Sequence, residues 1–72
     1  MIDVERSGDV VTIRLNRPEK RNAITTAMYA QLADELTQAA DAAVVVLTGT
    51  GGAFTAGNDV KDMLANPVRG ED

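Results

Sequence analysis

The 72-residue sequence has no cysteine, no histidine and no tryptophan, and it carries a single phenylalanine and a single tyrosine. Without cysteine there is no disulfide and no thiol nucleophile, and a cytoplasmic setting is the expectation. Without cysteine or histidine a zinc site would need a shell of carboxylates alone, so no metal is expected. Positive charge is scarce as well: 7 Lys and Arg against 11 Asp and Glu leave a net charge of −4. A nucleic-acid groove needs a basic face, so no nucleic-acid partner is expected. The longest apolar run is far too short for a bilayer. The opening Met1-Ile2-Asp3-Val4-Glu5 lacks the basic start and apolar stretch of a secretory signal. No membrane association is expected.

Large apolar side chains are also few. Hydrophobic residues make up 44% of the sequence, but 11 of them are alanine. Alanine buries little area, and short chains bury a smaller share of their surface than long ones. The expected state is a part of a larger fold or a homo-oligomer.

The patterning predicts one α/β unit of order ββαβα. Ile2 and Val4 alternate with Asp3 and Glu5, Ser7-Gly8-Asp9 is a turn signal, and Val11, Ile13 and Leu15 alternate again. This period of two predicts a hairpin over 2–16 with one buried face. Pro18, which cannot donate to a ladder, ends the strand. Ile24, Met28, Leu32 and Leu36 fall four apart and Ala39 closes the stripe, which predicts an amphipathic helix over 25–40 with Thr25 as N-cap. The β-branched run in 43–48 has no alternation and predicts a strand buried on both faces, as in a parallel sheet. Val60, Met63 and Leu64 share a face in a short helix over 59–65, which Asn66-Pro67 stops. Residues 68–72 read as a loose polar tail.

The segment 49–60, Gly-Thr-Gly-Gly-Ala-Phe-Thr-Ala-Gly-Asn-Asp-Val, puts flexible backbone between the last strand and the last helix. It does not fit a phosphate loop. Gly49 and Gly51 satisfy the first two glycines of a dinucleotide fingerprint, but Phe54 stands at the third. Gly52 and Gly57 have Walker spacing, but Asn58-Asp59 follows where Lys-Ser/Thr is required. Two readings stay open on the residues alone. The loop is a connector whose glycines supply positive φ, or its backbone N–H groups form a site for an oxygen that becomes negative. Phe54 reads as a core residue, and Met28 and Tyr29 as helix-packing residues.

The stretches Leu15-Asn16-Arg17-Pro18-Glu19-Lys20-Arg21-Asn22-Ala23-Ile24-Thr25-Thr26-Ala27-Met28 and Val44 to Met63, in this order, resemble the crotonase superfamily of enoyl-CoA hydratases and isomerases. The resemblance implies the N-terminal ββαβα portion of a spiral of ββα units, incomplete as a stand-alone fold. It also implies an acyl-CoA substrate, no separate cofactor because coenzyme A is part of that substrate, and assembly into trimers or hexamers. By resemblance, the backbone N–H of Asn58 is one oxyanion-hole donor. Backbone around Ala56, Asp59 and Val60 resembles the adenine-binding segment, Gly57 lets the ligand approach the backbone closely, Ala23 lies beside the pantetheine arm, and Lys20, Arg21 and Lys61 meet CoA phosphates. A solvated surface role accounts for the three basic residues equally well, and helix packing does so for Ala23; helix capping is the alternative for Asn58 and Asp59 and is compatible with the donor role. Asn58 departs from the alanine commoner in the family. The second donor and the acid/base carboxylates of the family fall later than residue 72, and none of Glu5, Glu19, Glu35 or Glu71 matches them. The 72-residue chain alone is therefore expected to be inactive. A non-catalytic CoA-binding or interaction module and an inactive structural fragment are the alternatives.

Overall fold

The computed structural model describes residues 1–67; the tail expected over 68–72, with Glu71, lies outside them. β1 (Ile2–Ser7) and β2 (Val10–Leu15) pair antiparallel, from Ile2 opposite Leu15 to Ser7 opposite Val10. Gly8 makes the turn between them at φ +60, a left-handed conformation that glycine adopts without the penalty of a Cβ. After a single 3-10 turn at Pro18–Lys20, α1 (Thr26–Gln38) crosses to β3 (Val44–Gly49), which pairs parallel with β2. The sheet order is β1-β2-β3, and α2 (Val60–Ala65) follows the glycine loop.

Each start of α1 and β3 has a local cause. The Thr25 hydroxyl accepts the Met28 N–H at 3.1 Å, which satisfies one of the unpaired donors of the first turn. Asp9 O accepts the N–H groups of Ala43 and Val44 at 2.9 and 3.1 Å, and so aligns β3 with the hairpin turn. Arg6 reaches across to Asp41 with both terminal guanidinium nitrogens at 3.2 Å, fixing the end of the helix connection to β1.

The core lies on one face of the sheet. Val11, Ile13 and Leu15 of β2 bury themselves with Ile2, Met28 and Ala39, and Ile24, Leu32 and Ala42 pack at the edge of this cluster. The helix stripe is therefore used up on β1 and β2. Two expectations fail here. β3 is not buried on either face: Val44 to Leu47 are each 40–50% exposed. In parallel register Val45 and Leu47 stand beside Val11 and Ile13, but the stripe of α1 is too narrow to reach over the edge strand. Val44 and Val46 point to the sheet's other face, which no element among the described residues covers, in a slab only 13 Å in its shortest extent. The hairpin and helix stripes are also shorter than the periodicity predicts, since Val4 and Leu36 are exposed.

Burial this uneven gives a contrast to measure. Ile13→Ala empties a fully buried site and should cost about 2–5 kcal/mol, whereas Val46→Ala on the bare face should cost under about 1 kcal/mol. Urea unfolding midpoints of the two variants check the difference, and equal losses would contradict the one-sided core.

Candidate functional site

The loop from Gly49 to Asp59 is held by side chains rather than by a ladder. Asn22 organises it. This residue has no exposed surface and sits at φ +59, a left-handed conformation that asparagine tolerates better than most residues. Its Nδ2 donates to Thr50 O and Ala53 O, both at 2.8 Å, and its Oδ1 accepts the Arg17 N–H at 2.8 Å. Its carbonyl accepts the Thr55 hydroxyl at 2.6 Å, and the Thr55 oxygen in turn accepts the Gly57 N–H at 3.1 Å. Gly49 is required where the loop folds back. A Cβ there would stand 2.8 Å from both Ala53 O and Asn22 Nδ2, and closer still to Phe54 O. Gly57 is required for a different reason, its φ of +95, since its Cβ position faces open space.

Beyond Gly57 the chain lies alongside the residues that lead into α1. Ile24 N–H donates to Gly57 O at 2.8 Å, and Asp59 N–H donates to Ile24 O at 2.9 Å, a parallel bridge between Ile24 and Asn58. Successive N–H groups of an extended chain point to opposite sides. With Gly57 and Asp59 turned toward Ile24, the Asn58 N–H is turned away, and among the described residues it meets no acceptor. The N–H groups flanking it are both taken, by Thr55 and by Ile24.

A charged network fixes the start of α2. Asp59 is its N-cap: Oδ1 accepts the Asp62 N–H at 3.0 Å, and Oδ2 accepts from Arg17 at 2.8 Å. The Arg17 guanidinium also donates to Ala23 O at 3.0 Å, and both members of the ion pair keep less than a fifth of their side-chain surface exposed. Asp62 Oδ2 accepts the Thr26 N–H at 2.8 Å, and the Thr26 hydroxyl donates to Asn66 O, so each helix holds the start or end of the other. The hydrogen bond from the Asp62 N–H, followed by that from Arg17, holds the Asp59 carboxyl below its ordinary value of 3.8.

Next to this network opens a cleft of about 570 Å³ lined by Arg17, Lys20, Ala23, Asp59, Lys61, Asp62, Ala65 and Asn66. Four residues singled out in the sequence, Lys20, Ala23, Asp59 and Lys61, meet there. Arg21, Ala56, Gly57, Asn58 and Val60 are not on its lining. Arg17 is paired and Asp62 is engaged, while Lys20 and Lys61 have no carboxylate within ion-pair distance among the described residues. Phe54, expected in the core, is 49% exposed, because the loop turns its carbonyl rather than its ring toward Gly49. Tyr29, expected to pack, donates its hydroxyl to Asn58 Oδ1 at 2.5 Å. Arg17, Asn22, Thr55 and Asp62 were not singled out as site residues. All are polar residues in turns or on a helix start, where no periodicity marks them. Among the described residues no group of three acidic side chains is placed to hold a metal.

The lowered Asp59 value gives a pH dependence of definite sign. A carboxyl whose folded pKa lies below its unfolded one adds stability that is complete above pH about 4. That stability is lost as pH falls through the folded value. Asp41, lowered by its hydrogen bond and charge pairing with Arg6, adds to the same window. Thermal unfolding of the wild type from pH 6 to pH 2.5 should therefore show a falling midpoint below about pH 4. Asp59→Asn should start lower and fall less. An unchanged acid limb in that variant would show that the Asp59 cap and ion pair add nothing.

A family model described as enoyl-CoA hydratase/isomerase matches residues 5–72. A probable enoyl-CoA hydratase of Mycobacterium tuberculosis is 42% identical over 62 residues, 83% of this chain and 26% of the relative. The mitochondrial delta(3,5)-delta(2,4)-dienoyl-CoA isomerase of Rattus norvegicus is 38% identical over 60 residues, 79% of this chain and 18% of the relative. Among solved structures, Pseudomonas aeruginosa OdaA superposes with a TM-score of 0.85 at 42% identity, over 99% of this chain and 30% of the other. An enoyl-CoA hydratase from Thermoplasma volcanium does so with a TM-score of 0.76 at 46% identity, over 90% and 27%. The chain spans roughly a fifth to a quarter of the length of these curated relatives. Its three-stranded sheet and helices match the N-terminal part of the crotonase fold. The chain belongs to the enoyl-CoA hydratase/isomerase family.

Proposed function

We propose that the protein binds acyl-CoA thioesters and that the Asn58 backbone N–H donates to the thioester oxygen, stabilising the enolate-like species formed when charge moves onto that oxygen. One observation carries this reading: the Asn58 N–H has no acceptor among the described residues, while its neighbours on either side are hydrogen-bonded. A donor fixed by the Ile24 bridge costs no reorganisation as charge develops, and removing one such donor typically slows a reaction about 10²–10³-fold. Water addition and double-bond shift both pass charge through the same oxygen, and the named relatives include a probable hydratase and an isomerase. The resting Asn58 side chain does not alter the donor, since the donor is backbone.

The cleft supports the CoA half of the proposal. Lys20 and Lys61 put two positive charges on its lining, with Arg21 exposed nearby in sequence, and phosphate groups suit these cations. Ala23 offers a small surface for the pantetheine arm, and the backbone from Ala56 to Val60 adjoins the adenine. The acid/base carboxylates and the second donor would come from other chain, in keeping with relatives several times longer. Assembly as a trimer or hexamer and a cytoplasmic location belong to the same proposal. A second reading, binding without turnover, is favoured by Asp59 and Asp62. These carboxylates of the donor turn and the helix after it are both committed to structural hydrogen bonds.

Titration with butyryl-CoA, followed by heat and by amide shifts, tests the binding claim. Shifts are expected at Asn58 and around Lys20 and Lys61, and their absence would overturn it. Lys20→Glu combined with Lys61→Glu should weaken binding roughly tenfold at low salt, and less at high salt. Crotonyl-CoA hydration should be undetectable with the 72-residue chain, and detectable turnover would overturn the assignment of the acid/base groups elsewhere.

A further inference from the structure

Gly57 sets no direction of its own. Its φ is +95, its Cβ position faces open space, and glycine takes up such conformations as readily as others. The direction of the Asn58 N–H is therefore set by whatever holds the peptide units on either side of this glycine. Ile24 holds the unit after it, donating its N–H to Gly57 O at 2.8 Å. In a trans peptide unit the N–H points opposite to the C=O, so this bond sends the Asn58 N–H outward. Thr55 holds the unit before it: Oγ1 accepts the Gly57 N–H at 3.1 Å. The roles at this hydroxyl are fixed by its partners. Asn22 O can only accept, so the hydroxyl proton goes to it, at 2.6 Å, and a lone pair is left for Gly57 N–H, which can only donate. Asn22 is a firm anchor. It is fully buried, and its amide meets two carbonyls at one end and an N–H at the other, which leaves it one orientation. A mere connector would need no such hold, because water can serve the N–H of a half-buried loop residue.

We propose that Thr55 is a positioning residue for the thioester donor: together with Ile24 it clamps the two peptide units around Gly57, so that the Asn58 N–H meets the thioester oxygen in a fixed direction and the Gly57 N–H does not compete for it. This rests on the acyl-CoA reading above. A donor free to swing about Gly57 would have to be ordered on binding, and that cost reduces what its hydrogen bond contributes.

The test compares butyryl-CoA with S-butyl-CoA, a thioether that lacks only the carbonyl oxygen, by calorimetry. The wild type should bind the thioester roughly three- to tenfold more tightly, the worth of one neutral hydrogen bond. Thr55→Val keeps the shape, removes the hydroxyl and should bring the ratio close to one. Thr55→Ser keeps the hydroxyl and should preserve it. A merely structural role for Thr55 would weaken both ligands alike and leave the ratio unchanged. A ratio retained in Thr55→Val, or lost in Thr55→Ser, overturns the inference. Amide hydrogen exchange of the wild type gives a reading that needs no variant. The Gly57 N–H should exchange slowly in the free protein, and the Asn58 N–H should exchange fast until butyryl-CoA, but not S-butyl-CoA, slows it. A Gly57 N–H that exchanges as fast as that of Asn58 overturns the clamp while leaving acyl-CoA binding intact. Failure of butyryl-CoA to bind the wild type, with Gly57 protected, overturns the underlying reading and this inference with it.

Discussion

The buried amide of Asn22 is the constraint on which the donor turn depends. The segment after β3 has no strand to pair with, so its carbonyls need other partners or water. Asn22 supplies them from a single side chain, taking Thr50 O and Ala53 O together while its own Oδ1 holds the Arg17 N–H. Because the residue is fully buried, each of these bonds is made out of competition with water, and loss of the amide would strand two acceptors and a donor. The left-handed backbone at Asn22 aims its carbonyl at Thr55, and Thr55 then orients Gly57. The path from a loop before α1 to the turn before α2 is thus a chain of hydrogen bonds, with no apolar contact needed at any step.

That path determines which amide is left over. Once Gly57 O and Asp59 N–H are paired with Ile24, strand geometry alone turns the N–H between them outward. The Arg17–Asp59 pair reinforces the arrangement from the other side. It fixes the carboxylate that caps α2, and Arg17 is itself tied to Ala23 O one residue before Ile24. The donor at Asn58 is therefore positioned by two elements that precede it by more than thirty residues. Flexible glycines allow the path, but they do not define it. Gly49 and Gly57 remove, respectively, a collision and a forbidden dihedral, and polar side chains set the geometry.

The sequence shows the elements more clearly than it shows their surroundings. Thr25 is legible as a cap because its hydroxyl chemistry is local, and Val11, Ile13 and Leu15 are legible because their period of two matches the pleat that buries them. β3 misleads for a physical reason. An unbroken β-branched run signals two covered faces in a finished fold, but it does not say which part of the chain does the covering, and neither α1 nor α2 reaches it here. Phe54 misleads similarly, since a lone aromatic in a polar loop looks like an anchor although the backbone carbonyls beside it make the close contacts. Asn22 gives no signal of its own in the sequence: it is one more polar residue in a charged loop, and no pattern distinguishes a buried amide from a solvated one. No pattern in the sequence shows that the Asn58 N–H turns away from its own chain; only the resemblance of the surrounding residues to the family points to residue 58.

The two kinds of order in this chain explain why the site is local while the fold is open. The hydrophobic cluster joins β1, β2 and α1 and stops there. The glycine loop and α2 are attached to it through hydrogen bonds, the Arg17–Asp59 pair and reciprocal helix-end contacts between Thr26, Asp62 and Asn66. Polar contacts of this kind depend on direction, so they fix the orientation of an amide far better than an apolar patch would. They contribute less net stability than burial does. A donor turn built this way is well defined in geometry and weakly anchored in energy. The uncovered valines of β3 are the surface through which further apolar burial would add that anchoring, next to the strand from which the loop emerges.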